Sequence, residues 1–416
     1  MSVKLTRGGL TRRRLLGGAT AAAAGAAVAT AVGPLETVAK AAGAGPASSY
    51  PFEGRYQAGV LTPPQRAASF VALDVTAASR AELIDLMRTI TDQVRFLTKG
   101  GAPLEPGIAA PPTDNGVVGP VVDPDGLTVT MSVGASLFDD RFGIASRKPA
   151  KLTTMSAAPF PNDSLDTTTC DGDLLLQICA HESDTVIHAL RQIAKETRGG
   201  VQIRWRQDAF KSPPRPSGTP RNLMGFKDGI ANPRVASAGE MDALVWTRGG
   251  AGGEPAWTSD GSYHVVRLIR MLVEFWDRVD QREQEQMIGR RKADGAPLTG
   301  GGERTAPDYD KDPTGEAVLF SSHIRNANPR DAQTADSRIL RRSYNYDNGT
   351  DLNGELQQGL VFVAFNQDLE RQFKAVQTRL IEEPLVDYIS PIGGGYFFAL
   401  PGVSSTDGWL GNTLLA

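Results

Sequence analysis

Between Ser69 and Trp205 the chain switches back and forth between strand and helix periodicity, and the order of those switches restricts the fold more than any single residue does. Phe70, Ala72 and Asp74 alternate with Val71, Leu73 and Val75, the period of two expected of a strand. Ser79-Arg80-Ala81-Glu82 then forms a capping box, and Leu83, Leu86, Met87, Ile90, Val94 and Leu97 follow at helical spacing. Further strands are predicted over 127–133, over 174–179 behind the turn Asp171-Gly172-Asp173, and through Val201, Ile203 and Trp205, with a helix over 184–197 before the last of them. The order β-α-β-β-α-β is the split pattern of ferredoxin-like domains, an antiparallel sheet with helices on one face.

The second half repeats the theme. A strand is predicted over 264–273, then a charged helical or irregular excursion over 275–288 and an apolar strand over 360–365. Leu369, Phe373, Val376 and Leu380 make a helix face, and a final strand, Tyr396 to Leu400, follows Gly393-Gly394-Gly395. The expected class is α+β, a duplicated ferredoxin-like fold with halves at 45–220 and 221–416. Its antiparallel sheets would enclose a cavity between the halves, where cofactor pockets tend to lie.

Composition bounds what the fold can serve. With 416 residues, 40% hydrophobic and 22% charged, the chain reads as globular. A net charge of -3, with no basic stripe interleaved with aromatics, argues against nucleic acid as the main partner. Residues 1–44 read as a twin-arginine export leader: Arg12-Arg13-Arg14 precede a weakly apolar run from Ala19 to Val32, with small-residue cleavage candidates at 39–44. That run is too short and mild to span a membrane. Removing the leader takes away six basic residues and one acidic residue, so -3 becomes -8. The expected destination is periplasmic or extracellular, and such export carries proteins already folded, often around a cofactor. Cys170 and Cys179, nine residues apart at about 3.3 Å each along a strand, lie beyond disulfide reach.

Chemistry concentrates in two segments. Ser321 to Tyr346 holds His323, one of only four histidines, and Arg341 eighteen residues later. A lone imidazole without a CxxC or HExxH partner is a poor zinc site, but it suffices as the one axial ligand of a haem iron. A guanidinium near that iron could stabilise an anionic intermediate. From this stretch alone, a structural histidine beside a solvated basic run is the competing reading. The second segment, Arg221 to Pro233, places Asp228 in Gly225-Phe226-Lys227-Asp228-Gly229, where glycines allow tight turning; an Asx turn or helix cap is the plainer reading of that aspartate. His181, His188 and His264 read as structural. Trp205, Trp246, Trp257, Trp276, Trp409 and the tyrosines could relay oxidising equivalents, although aromatics at such positions more often pack.

Taken together, Gly225–Gly229, His323–Arg330 and Arg338–Tyr346 resemble the GxxDG, haem-ligand and distal-arginine segments of the dye-decolorising peroxidases, haem enzymes of the dimeric α+β barrel superfamily. Spacing agrees, with 95 residues from Asp228 to His323 and 18 more to Arg341. The blocks Tyr263–Arg278 and Gly393–Gly402, with the leader, look like the exported subgroup that includes deferrochelatase/peroxidase proteins. The resemblance implies a haem b cofactor ligated by His323, with Asp228 and Arg341 as the catalytic carboxylate and arginine. Gly229, Ile230 and Ala231 would line the haem, and Asn328 and Arg330 would sit at its edge, Arg330 on a propionate. It also implies hydrogen peroxide and a dye, phenol or other electron donor as partners; the alternative is a deferrochelatase that releases iron from haem. Members of the superfamily often form dimers or larger rings, so a homo-oligomer is among the expectations. Either Glu383 or Asp387 would accept a hydrogen bond from His323. Ser343, two beyond Arg341, departs from branches that carry asparagine there, leaving the relative weight of Asp228 and Arg341 open.

Overall fold

The computed structural model describes residues 49–416, so the leader expected over 1–44 lies outside the described residues. Among the described residues nine strands are formed: β1 (Ala67–Val75), β2 (Thr128–Gly134), β3 (Leu174–Ala180), β4 (Val201–Phe210), β5 (Ser262–Met271), β6 (Leu340–Arg341), β7 (Tyr344–Thr350), β8 (Leu356–Asn366) and β9 (Ile389–Ala399). The helices used below are α1 (Arg80–Lys99), α2 (Ser183–Glu196), α3 (Ala238–Leu244), α4 (Val273–Trp276), α5 (Gln281–Ile288), α6 (His323–Ala327) and α7 (Ala375–Arg379). No helix among the described residues is long and apolar enough to cross a membrane.

The first ferredoxin-like unit forms as its periodicity dictates. Ser79 Oγ accepts from the Glu82 amide at 3.2 Å and the Glu82 carboxylate accepts from the Ala78 amide at 2.8 Å, which starts α1. Leu83, Met87, Ile90, Val94 and Leu97 are fully buried on one face of α1, each contributing about 1.5–3 kcal/mol of transfer free energy. They pack against β1, β2 and β3 together with α2. Strand order β2-β3-β1-β4 is that of a ferredoxin-like sheet, and β7-β8-β5-β9 repeats it in the second half.

The two sheets do not face each other as separate layers. They join edge to edge, β9 on β2 and β4 on β7, and because β8 also pairs with β5, eight strands close into one antiparallel barrel. Closure removes the sheet edges that open sheets must protect. The barrel interior is filled: Phe70, Leu175, Trp205, Val266, Tyr344, Val361, Phe365 and Phe397 form a single apolar cluster drawn from both halves. The barrel interior therefore holds no cofactor, and the cleft suited to one lies outside it, against β5 and β8.

Several elements depart from the periodicity reading: β5 ends at Met271, with Val273 already in α4, and the short β6 has no counterpart in it. β9 starts at Ile389, so Gly393, Gly394 and Gly395 lie inside it and not before it. Gly394 has φ +113°, and a Cβ there would meet Val266 O at 2.1 Å, so the glycines permit a kinked strand pressed against β5 beside a register shift. β7, absent from the expectation, puts Tyr344 and Tyr346 into the barrel with Asn345 between them.

A candidate haem cleft and the chamber beside it

Outward-facing residues of β5 and β8 form the floor of a cleft. Ile269 and Met271 alternate with the barrel-facing Val266 and Leu268, and Leu360 and Phe362 with Val361 and Val363. Phe373, Val376 and Leu380 close one side, Phe373 projecting from a π-helical turn over Glu370–Lys374 that runs into α7. Such a turn interrupts helical register and often marks a functional position. The cleft encloses about 1460 Å³, part of it open to solvent, and every residue lining it lies between 222 and 389.

His323 opens α6 and lines this cleft. Its Nδ1 is hydrogen bonded to Glu383, 2.8 Å from Oε2 and 3.1 Å from Oε1. With Nδ1 so engaged, Nε2 is the nitrogen left for the cleft. Glu383 is only 3% exposed, whereas Asp387 is exposed, so the open choice of partner resolves to Glu383. Burial disfavours the imidazolium, but the Glu383 carboxylate outweighs it and raises the His323 pKa above its ordinary value.

Asp228 and Arg341 also line the cleft, with Arg341 Nη1 2.7 Å from Asp228 Oδ1. The aspartate is fixed by a compact loop: Asn222 Oδ1 accepts the amides of Met224 and Phe226, both at 3.1 Å, and the Asp228 amide donates to Pro220 O at 3.0 Å. Gly225 and Gly229 sit at φ +86° and +103° within it. Arg341 is fixed by Asn232, whose amide donates to Arg341 O at 2.7 Å while its Oδ1 accepts from Arg341 N at 3.1 Å. Burial opposes ionisation of Asp228, but Arg341 and then Lys211 outweigh it and hold the carboxyl below its usual range.

Ile230, Ala231, Asn328 and Arg330 line the cleft, joined by Arg290 and Arg338. Burial, then the neighbouring Arg330 and Arg341, lower the Arg290 pKa, with Tyr309 and Glu303 acting in the opposite sense. Arg330 holds φ +64°, a left-handed conformation uncommon outside glycine and frequent at functional sites. Gly229 differs from the expectation: it lines a second, polar chamber that meets the cleft at Asp228 and Arg341. Ser343 also turns away from the cleft, its Oγ accepting from the Val363 amide at 3.3 Å. None of His181, His188 and His264 lines the cleft; His188 Nε2 meets Asp114 at 2.8 Å and His264 Nδ1 meets Ser132 at 2.9 Å. Cys170 and Cys179 are both free and buried.

Comparison with known proteins decides the family. The N-terminal and C-terminal Dyp-type peroxidase family models match residues 57–211 and 219–404. The chain belongs to the Dyp-type peroxidase family. Deferrochelatases of Escherichia coli O6:K15:H31 (strain 536 / UPEC) and of Escherichia coli strain K12 are each 50% identical over 370 residues, 88% of this chain and 87% of the relative. Among solved structures, a DyP-type peroxidase from Cellulomonas bogoriensis is 36% identical with a TM-score of 0.78, covering 89% of this chain and 99% of that one. Ferric DtpA from Streptomyces lividans is 34% identical with a TM-score of 0.77, covering 89% and 98%. Membership makes the chain a haem-dependent peroxidase, with hydrogen peroxide and an electron donor as its substrates.

Proposed function

We propose that the cleft binds haem b with His323 Nε2 as the axial ligand of its iron, and that the enzyme passes electrons singly from dyes, phenols or similar donors to hydrogen peroxide. The observation that carries this is the pairing of His323 with buried Glu383 at the wall of an otherwise apolar cleft. The residues suit the group on several counts. Apolar walls from β5, β8 and the Phe373 turn match the faces of a porphyrin, and Arg290 and Arg330 suit its carboxylate substituents, with Arg330 assigned to one of them. Ile230 and Ala231 would contact the macrocycle and Asn328 its edge.

Haem held by His323 would supply the redox chemistry that lets peroxide, a two-electron oxidant, be reduced by one-electron donors. Asp228, kept ionised by Arg341 and Lys211, takes the proton from the near oxygen of peroxide and delivers it to the departing one. Arg341 stabilises the negative charge that builds as the O–O bond parts. Glu383 orients His323 and increases the basicity of its imidazole. The decisive trial is stopped-flow absorbance of the purified protein mixed with peroxide: a rapid shift of the haem band is expected. Unchanged turnover in both Asp228→Asn and Arg341→Leu would overturn these catalytic assignments.

A second reading is favoured by the 50% identity to deferrochelatases: the same cleft holds haem as cargo and the protein releases its iron. Free iron together with intact protoporphyrin after incubation with haem would support it. The leader sequence supports export by the twin-arginine route to the periplasm or exterior, with residues 45–220 and 221–416 as the two halves of the exported part.

A further inference from the structure

The polar chamber beyond Asp228 and Arg341 encloses about 580 Å³, part of it open to solvent, and its walls include Lys211, Thr219, Arg304, Arg341 and Arg342. Four cations thus face one carboxylate, Asp228. Asp228 is already committed to Arg341 at 2.7 Å. Lys211 Nζ spends one of its three donors on Ser343 O at 2.9 Å and lies over the Tyr344 ring, 5.9 Å from its centroid. Arg342 is 3% exposed and binds Thr62 O and Gln65 Oε1, but its buried Nε finds no acceptor among the described residues. Arg304 stands at the rim with 74% of its side chain exposed. Its nearest carboxylate, Glu303 at 3.8 Å, is engaged by Lys227 and Thr219. Partly buried Lys211 keeps donors unspent, buried Arg342 keeps its Nε unspent, and the one carboxylate of the chamber is taken by Arg341, so positive charge here exceeds negative.

We propose that this chamber is a binding site for a small monoanion, a carboxylate or inorganic oxyanion of nitrate size, held chiefly by Lys211 and Arg304. Such an anion neutralises the surplus charge that Asp228 alone leaves. Since the chamber and the cleft share Asp228 and Arg341, an occupant competes with Asp228 for Arg341 and slows the reaction with peroxide. That slowing rests on the peroxidase reading above, whereas the site itself does not.

The test therefore has two arms. Crystals soaked in bromide are expected to show an anomalous peak within contact distance of Lys211 Nζ in the wild type and none in Lys211→Met. In solution, nitrate is expected to slow peroxide consumption saturably, against gluconate at equal ionic strength, and its apparent affinity should fall at least tenfold in both Lys211→Met and Arg304→Ala. Arg304→Ala changes an exposed side chain and guards against loss of fold in the Lys211 variant. Absence of bromide from the wild-type chamber overturns the site, whatever the activity. Equal nitrate inhibition in wild type and both variants overturns the coupling, since the anion then acts elsewhere.

Discussion

Arg341 Nη1 and Asp228 Oδ1 stand 2.7 Å apart where the apolar cleft meets the polar chamber, joining residues 113 positions apart in sequence. Neither side chain is free to wander: the loop around Asn222 sets the aspartate and Asn232 sets the arginine backbone. Replacing Asp228 by Asn keeps the shape and removes the base. The rate constant for reaction with peroxide is expected to fall by about 10²–10⁴, the usual worth of a positioned general base, while haem content stays unchanged. Stopped-flow and pyridine haemochrome measurements on the same preparation check the rate and the haem content.

The acidity of Asp228 sets a pH limit. Burial pushes its carboxyl up, but Arg341 and Lys211 outweigh this, so its folded value lies below the unfolded value of about 3.9. A carboxyl lowered by folding contributes stability that is fully present above the unfolded value and is lost as pH falls through the folded one. The acid limb of the peroxide reaction should accordingly lie below the ordinary carboxylate range. Arg341→Leu should move that limb upward; a pH–rate profile that does not shift between the two proteins contradicts the assignment.

Asn232 tests positioning without touching a charged group. Asn232→Ala removes two hydrogen bonds to the backbone of Arg341 and leaves both backbone groups to find other partners. A loss of about 1–3 kcal/mol in stability by chemical denaturation is expected, together with slower peroxide reaction at full haem occupancy.

The barrel interior makes a separate prediction about stability. Phe365 is fully buried there, stacked against His264 with ring centroids 4.4 Å apart. Phe365→Ala should cost about 3–5 kcal/mol, since a closed barrel collapses poorly around a void. Thermal unfolding measured beside the wild type reads this directly.

Much of this architecture was legible because local periodicity and tertiary role coincide. The capping box at Ser79 and the apolar face of α1 gave that helix to within a few residues, and the β-α-β-β-α-β order gave the ferredoxin-like unit. Closure into a barrel was not legible. It depends on the edge pairings of β4 with β7 and β9 with β2, which bring together residues more than a hundred positions apart and leave no periodic trace. β7 shows as alternation only in Tyr344-Asn345-Tyr346, residues that also close the arginine segment, and the exposed Asp347–Thr350 that complete it carry no strand pattern. His323, Asp228 and Arg341 could be picked out as chemistry-bearing residues. Asn232 and Lys211 could not, since an Asn-Pro pair reads as a turn and a lysine at the end of β4 reads as a solvated edge. Glu383 is separated from Asp387 by its hydrogen bond to His323 and by its burial, neither of which leaves a trace in the sequence.

The proposed function of the cleft turns on His323 meeting iron. The most direct measurement is resonance Raman spectroscopy of the ferrous protein, comparing wild type with His323→Ala and Glu383→Gln. An iron–histidine stretching band is expected in the wild type, absent in His323→Ala and shifted to lower frequency in Glu383→Gln as the imidazole loses its carboxylate partner. A band that persists unchanged in His323→Ala would contradict the account at its centre.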